Sequence, residues 1–249
     1  GDSRPVIAEL AATQQAAALC ESTAAPMYVV HLSSARALEA CRAARERKAP
    51  LYVETRPLYL HLTSERMQGA GAPLYVGQPP LRTPSDADAL WRGLLDGSID
   101  VLATDHAPWT RAQKMDSSLT ITRLRPGVSN LQVMLPMYFS EGVGKRGLSL
   151  PRFVATTSTN AARIFGLYPK KGVLRVGSDA DIVIWDPRRR DSVRAEDDLS
   201  KSDYSVYEGW PVTGWPEITI RRGEAVFEKG VVTGRAGSGA LVTRERRSP

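Results

Sequence analysis

Cysteine is nearly absent. The 249-residue chain has two, Cys20 and Cys41. Both fall in helix-like segments and cannot build a disulfide framework, so a reducing compartment is expected. No run of about 18 apolar residues occurs, so no segment reads as a membrane-spanning helix. The opening Gly1-Asp2-Ser3-Arg4-Pro5 carries no signal-peptide pattern. It also lacks an initiator Met, so it says nothing about a precursor. A cytoplasmic protein with no membrane partner is the expectation. The formal charge of +6 is modest. Basic residues cluster at Arg42, Arg45, Arg47 and Lys48, at Arg188, Arg189 and Arg190, and at Arg244, Arg246 and Arg247. No finger, stacking repeat or long basic helix accompanies them, and no nucleic-acid partner is expected. Histidine is scarce too: His31, His61 and His106 are the three.

What is present is a regular alternation of helical and strand-like sequence. The 42% hydrophobic content suits a globular chain with a sizeable core. Residues 5–22 predict a helix, with Pro5 in its first turn and Val6, Leu10, Thr13, Ala17 and Cys20 at helical spacing. Met27 to His31 reads as a strand, and Ser33-Ser34 can cap a helix from Ala35 to Arg47. Leu51 to Thr55 is the next strand. This α-β-α-β order favours a parallel sheet. A short helix over Leu60–Met67 and a brief strand at Leu74-Tyr75-Val76 follow. A helix capped by Ser85 or Asp86 then runs through Leu95 and closes at Gly97.

Asp100-Val101-Leu102-Ala103-Thr104-Asp105-His106-Ala107-Pro108 predicts a buried strand, over 100–105, with a charged tip. A long loop, about 108–127, holds Trp109, Lys114, Arg123 and Arg125; a loop of that length in a compact domain usually carries function. Leu131–Ser140 and Ser149–Phe165 predict helices. Past Gly166 the pattern turns β-rich. Two short strand-like pieces are expected within 172–181, then a strand at Ile182–Pro187, polar loop over 188–211 and a hairpin at 218–230. The expected fold class is α/β: the second half of a metal-dependent (β/α)8 TIM barrel over 1–170, then a small β-sandwich portion and C-terminal tail over 171–249. A whole barrel needs about 250 residues, and only three or four barrel strands precede the β-rich tail.

In such barrels the catalytic groups sit at the carboxyl ends of strands. His31 and Asp105 occupy that position. His31 is either a zinc ligand, with its second nitrogen fixed by another group, or a hydrogen-bonded histidine at a helix entrance. Asp105 is either a metal ligand that also takes a proton from bound water, or a cap on the following turn. His106 faces the other way along the strand and is at most a supporting residue; His61 is expected to be structural. Glu54 and Arg56 either shape the pocket or form a solvated rim. Gln78-Pro79-Pro80-Leu81-Arg82 is a rigid turn that frees backbone carbonyls. The amides of Gly127-Val128-Ser129-Asn130 either face a polar ligand or cap a helix.

These segments carry a family resemblance. Tyr28-Val29-Val30-His31-Leu32-Ser33-Ser34, Val53-Glu54-Thr55-Arg56-Pro57-Leu58-Tyr59-Leu60, Pro79-Pro80-Leu81-Arg82 and Ala103-Thr104-Asp105-His106-Ala107-Pro108 come in order. Ser158-Thr159-Asn160-Ala161-Ala162-Arg163-Ile164-Phe165-Gly166-Leu167 and Gly177-Ser178-Asp179-Ala180-Asp181-Ile182-Val183-Ile184-Trp185-Asp186-Pro187 follow. Together with Tyr207-Glu208-Gly209 and Gly214-Trp215-Pro216, the series resembles the C-terminal half of the dihydropyrimidinase/hydantoinase branch of the cyclic amidohydrolases.

The resemblance implies zinc-dependent ring opening of a small cyclic amide, a dihydropyrimidine or a hydantoin, by metal-activated hydroxide. It implies two zinc ions bridged by a carboxylated lysine, with His31 and Asp105 as ligands and Asp105 as general base and then acid. The remaining ligands, a His-x-His pair, the lysine and a further histidine, would lie upstream, on a missing N-terminal half of the barrel. A homotetramer or dimer is implied, and Gln78, Arg123 and Gly127 are the expected substrate-binding positions. The sequence departs from the family at Arg56, where a cysteine is usual, at Leu58 in place of a polar residue, at Gln78 in place of serine and at Pro126-Gly127 in place of Asn-Gly. Two alternatives accompany the resemblance: a non-catalytic oligomeric scaffold, and an amidohydrolase acting on allantoin or dihydroorotate.

Overall fold

A computed structural model describes residues 3–120 and 122–244; Arg246 and Arg247 of the last basic cluster lie outside the described residues. The chain forms two compact units, Gly1–Met134 with Ser192–Trp210, and Leu135–Asp191 with Pro211–Pro249.

The first unit opens with α1 (Val6–Thr23), which buries Leu10, Thr13, Ala17 and Cys20 on one stripe. Ala24, in the left-handed region, ends it. β1 is Met27–Val29 and β2 is Leu51–Thr55, paired in parallel with Met27 beside Leu51 and Val29 beside Val53. Between them runs α2 (Ala35–Glu46), whose Ser34 cap accepts from the Ala37 amide at 3.3 Å. α3 (Pro57–His61) follows β2 directly.

α4 (Pro84–Asp96) is capped by Thr83 rather than by Ser85 or Asp86. Pro84 fits the first helical position, where no amide partner is needed, and that places Asp86 third in the turn. Asp86 answers the cap with its own carboxylate and also accepts from the Ala35 amide at 2.9 Å, so one buried acid serves the starts of α2 and α4. β3 is Val101–Leu102, parallel to β2 with Val101 beside Glu54. The three-stranded order is β1-β2-β3. Just before β3, Asp100 is pinned by the Val53 amide at 2.8 Å and by an ion pair with Arg45, which sets the register.

The strand ends differ from expectation. β1 stops at Val29, two residues before His31, and β3 stops at Leu102, three before Asp105. Both residues turn into the left-handed region, at φ 38° for His31 and 45° for Asp105. The expected strand at 74–76 is instead a 3-10 turn, Ala72–Tyr75. Pro73 is the second residue of that turn, and its carbonyl accepts from the Val76 amide. The strand-like pieces within 172–181 are turns, stapled by Lys171 to Asp179 at 2.8 Å and to Asp181.

The second unit carries α6 (Met134–Tyr138) from Leu135 onward; the short α5 (Arg111–Lys114) belongs to the first unit. A π-helical turn, Phe139–Val143, continues α6. α7 (Leu150–Val154), a second π-turn (Ala155–Thr159) and α8 (Asn160–Ile164) form one continuous rod, capped by Ser149 and followed by Gly166 at φ 72°. The sheet runs β4 (Ile182–Ser192), β5 (Pro211–Arg221), β6 (Glu224–Glu228), β7 (Val231–Val232) in that order, with β5, β6 and β7 antiparallel. β4 runs well past Pro187, so the polar stretch that begins at 188 is partly strand. The unit's core is aromatic: Phe139 lies 5.1 Å from Trp185 and 5.7 Å from Phe153, which stacks on Tyr138 at 5.3 Å.

Candidate active site

Six non-glycine residues among those described have positive φ. Ala24 and Lys48 follow helices, and Arg222 and Lys229 follow strands at hairpin turns. His31 and Asp105 do neither; each follows a strand of the parallel sheet. Strain of roughly 1–3 kcal/mol per residue at such positions clusters at functional sites.

His31 is half-buried. Its backbone amide donates to Glu54 Oε1 at 3.0 Å, while Tyr28 donates its hydroxyl to Glu54 Oε2 at 2.8 Å. Its Nδ1 is buried and has no hydrogen-bond partner among the described residues. A buried imidazole nitrogen without a partner suits a metal ligand. His31 also lines a cavity of about 500 Å³ that Gln78, Pro79, Arg82 and Glu9 share. In that wall Glu9 accepts from the Ser33 amide at 2.7 Å and pairs with Arg82 at 3.5 Å. Ser33 therefore anchors α1, while its neighbour Ser34 caps α2.

Asp105 is held from both sides. Asn130 Nδ2 donates to the Thr104 carbonyl at 2.9 Å, and the Asn130 and Leu131 amides donate to His106 Nδ1 at 3.1 and 3.2 Å. His106 thus supplies the acceptor for the Asn130 amide, one of those the sequence leaves open to a polar ligand, and for its neighbour at Leu131. Asn130 is itself fixed by the Tyr207 hydroxyl at 2.7 Å. The Asp105 carboxylate, 41% exposed, forms an ion pair with Arg56, which is 1% exposed. Among the described residues no group of three or more His, Cys, Asp or Glu could hold a metal ion.

Lys114 lies in the long loop after β3, and nothing in the sequence marks it out. It is 3% exposed and donates to three carbonyls: Val76 at 2.9 Å, Arg125 at 2.8 Å and Gly127 at 2.9 Å. Gly127, at φ 104°, also donates its amide to Val76 at 2.9 Å. A Cβ there would stand 2.4 Å from Ala107 Cβ, so only glycine fits. Arg125 lies over the Trp109 ring at 5.1 Å, and Arg123 is exposed. His61 sits among Trp91, Trp210 and Tyr207, with ring centres 5.5–6.4 Å away.

Burial, aided by the Arg56 charge, pushes the Lys114 ammonium down from 10.5 to about 8. Burial pushes the Cys41 thiol up from 9.0 to about 12. It also raises the phenols of Tyr28, Tyr59, Tyr138, Tyr204 and Tyr207 from their ordinary 10.0. Above pH 8 the unfolded chain keeps a Lys114 proton that the native state sheds, so stability rises. From pH 9.0 the unfolded chain loses a Cys41 proton that the native state keeps, which cancels that rise. From pH 10.0 the tyrosines act in the same direction as Cys41, each by about 1.4 kcal/mol per pH unit at most. Urea unfolding across pH 7–12 is therefore expected to give a shallow maximum at about pH 9–10 and a steep fall above it. A monotonic decline from pH 8 would contradict the Lys114 assignment.

The sequence profile of the amidohydrolase family matches residues 12–226. The chain belongs to the amidohydrolase family. Among individual amidohydrolases, the D-phenylhydantoinase of Escherichia coli (strain UTI89 / UPEC) is 38% identical over 245 residues, 98% of this chain and 53% of that protein. The structure of D-hydantoinase (dihydropyrimidinase) from Thermus sp. superposes with a TM-score of 0.95 at 35% identity, over 98% of this chain and 54% of the other. Dihydropyrimidinase from Brevibacillus agri NCHU1002 superposes at 0.93 with 37% identity, over 96% of this chain and 53% of the other. The chain spans about half the length of the relatives it matches.

Proposed function

We propose that this chain is the C-terminal half of a zinc-dependent cyclic amidohydrolase that opens a ring amide of the dihydropyrimidine or hydantoin type. The observation that carries this reading is the pair of left-handed residues, His31 and Asp105, at two exits of one parallel sheet. The similarity to hydantoinases and a dihydropyrimidinase over nearly the whole chain supports it. In this reading residues 1–170 are barrel and 171–249 are β-sandwich portion and tail. The three-strand sheet would be completed by barrel strands from outside the chain. The assembly would be a cytoplasmic homotetramer or dimer.

The donors present fit part of a metal site. His31 offers an unpartnered Nδ1, and Asp105 offers Oδ1, since Oδ2 is held by Arg56. Two zinc ions, bridged by a carboxylated lysine from outside the chain, would activate water and polarise the ring carbonyl when bound. Asp105 would take the proton released in the attack and deliver it to the leaving ring nitrogen. Gln78, on the cavity wall beside His31, Gly127, clamped by Lys114, and the exposed Arg123 would orient the ring.

Zinc content and ring opening of dihydrouracil and hydantoin, measured on the complete assembly, test this reading. One of the two rings is expected to open, and the 249-residue chain alone is expected to be inactive. An assembly that stays metal-free and inactive after zinc reconstitution would overturn it. The Arg56–Asp105 ion pair favours one competing reading, a non-catalytic scaffold in which that pair is purely structural, and this is the result such an inactive assembly would support.

A further inference from the structure

Arg56 is the first residue past β2, and its guanidinium is enclosed. It lies over the Tyr59 ring at 4.5 Å. Its Nη2 donates to the Tyr59 hydroxyl at 2.7 Å, and that hydroxyl donates to the Pro79 carbonyl at 2.7 Å. Gly77 makes room: a Cβ there would stand 2.6 Å from Nη2. Its Nη1 donates to Asp105 Oδ2, and its Nε is buried without a partner among the described residues. An arginine that leaves a buried donor unpaired is not placed by its own hydrogen-bonding optimum. The charge it meets is the Asp105 carboxylate.

We propose that Arg56 is a positioning residue that takes one oxygen of the Asp105 carboxylate and presents the other, Oδ1, to metal and proton. The inference rests on the functional reading above. A carboxylate has two oxygens and several lone-pair directions. On a left-handed loop residue it would turn about its side-chain bonds and offer either oxygen, or both. A rigid cation on Oδ2 removes that freedom and keeps Asp105 a single-oxygen ligand. The same cation also opposes a second positive charge nearby.

The test uses Arg56→Met, Arg56→Lys and Arg56→Gly in the complete, zinc-loaded assembly. Arg56→Met is expected to lower kcat on the order of 100-fold with KM within about threefold. Zinc affinity by chelator competition is expected to rise on the order of tenfold, because a repelling charge leaves and Oδ2 becomes free. Arg56→Lys should restore part of both, and guanidinium salt should restore kcat to Arg56→Gly. A pair that only stabilises the fold would change stability and leave kcat of the zinc-loaded assembly unchanged. If Arg56→Met keeps kcat and zinc affinity while the wild type opens rings, this inference falls and the functional reading stands. A loss of activity that tracks loss of zinc or of folded protein overturns it as well. A wild type that binds no zinc and opens no ring overturns both.

Discussion

Replacing Lys114 with methionine is expected to destabilise the first unit by about 3 kcal/mol and to loosen residues around Gly127. The unbranched side chain is kept and is only one atom shorter, so packing changes little. Three carbonyls lose their shared donor. Val76 retains the Gly127 amide, which leaves the Arg125 and Gly127 carbonyls without this partner. Each buried acceptor left unsatisfied costs about 1–3 kcal/mol. Relief from burying a charge offsets part of that cost, because the native site already depresses the ammonium to about 8. Hydrogen exchange is the discriminating measurement. The amides nearest the clamp, Gly127 with its bond to Val76 and Ala107 with its bond to Val128, should exchange faster, while α2 and β2 change little. Arginine should not rescue, since its planar fork does not match three converging carbonyls. Unchanged protection at Gly127 would show that Lys114 is incidental.

Elements with strong period and clear punctuation were legible in the sequence. α1, α2 and β2 lie within about a residue or two of the expected bounds, because their apolar spacing, serine cap and proline boundaries all agree. The rod over 150–164 and the hairpin about Gly223 were legible for the same reason. Short apolar runs misled. Leu74-Tyr75-Val76 has strand-like composition, but no strand among the described residues pairs with it, and with Pro73 in the first turn Ala72–Tyr75 forms a 3-10 coil. Two residues, Val101 and Leu102, pair as β3 although six were expected. Pairing is decided by the neighbouring strand, and β2 ends at Thr55, beside Leu102.

The candidate site was partly legible in the same sense. Position at a strand end drew attention to His31 and Asp105, yet no local pattern announces their left-handed backbone. Lys114 and Asn130 were missed as organisers because their partners are distant in sequence: Val76 for one, Thr104 and Tyr207 for the other. The signal available was weak, a lone lysine in a long loop and an asparagine at a helix start. Arg56 was visible as a departure from the family, but its partner Asp105 stands 49 positions away and appears only in three dimensions.

Asp105→Asn is the second large effect, and it separates charge from shape. Asparagine tolerates a left-handed backbone, so φ 45° adds no new strain. Its amide keeps an oxygen for Arg56 but no negative charge. Arg56, 1% exposed, then holds a buried charge without a counter-ion. Removing one member of a fully buried pair costs about 3–5 kcal/mol. Asp105 is 41% exposed, so water screens the pair and a loss of about 1–3 kcal/mol is expected. The double variant Asp105→Asn with Arg56→Met should recover part of that loss, because it removes the stranded charge together with its partner. Urea unfolding of the four proteins gives the coupling directly. In the complete assembly the same substitution removes the proposed proton carrier, and kcat should fall on the order of 1,000-fold. Additive stabilities would mean that Arg56 and Asp105 are neighbours without being partners, and an active Asp105→Asn assembly would assign the proton transfer to another group.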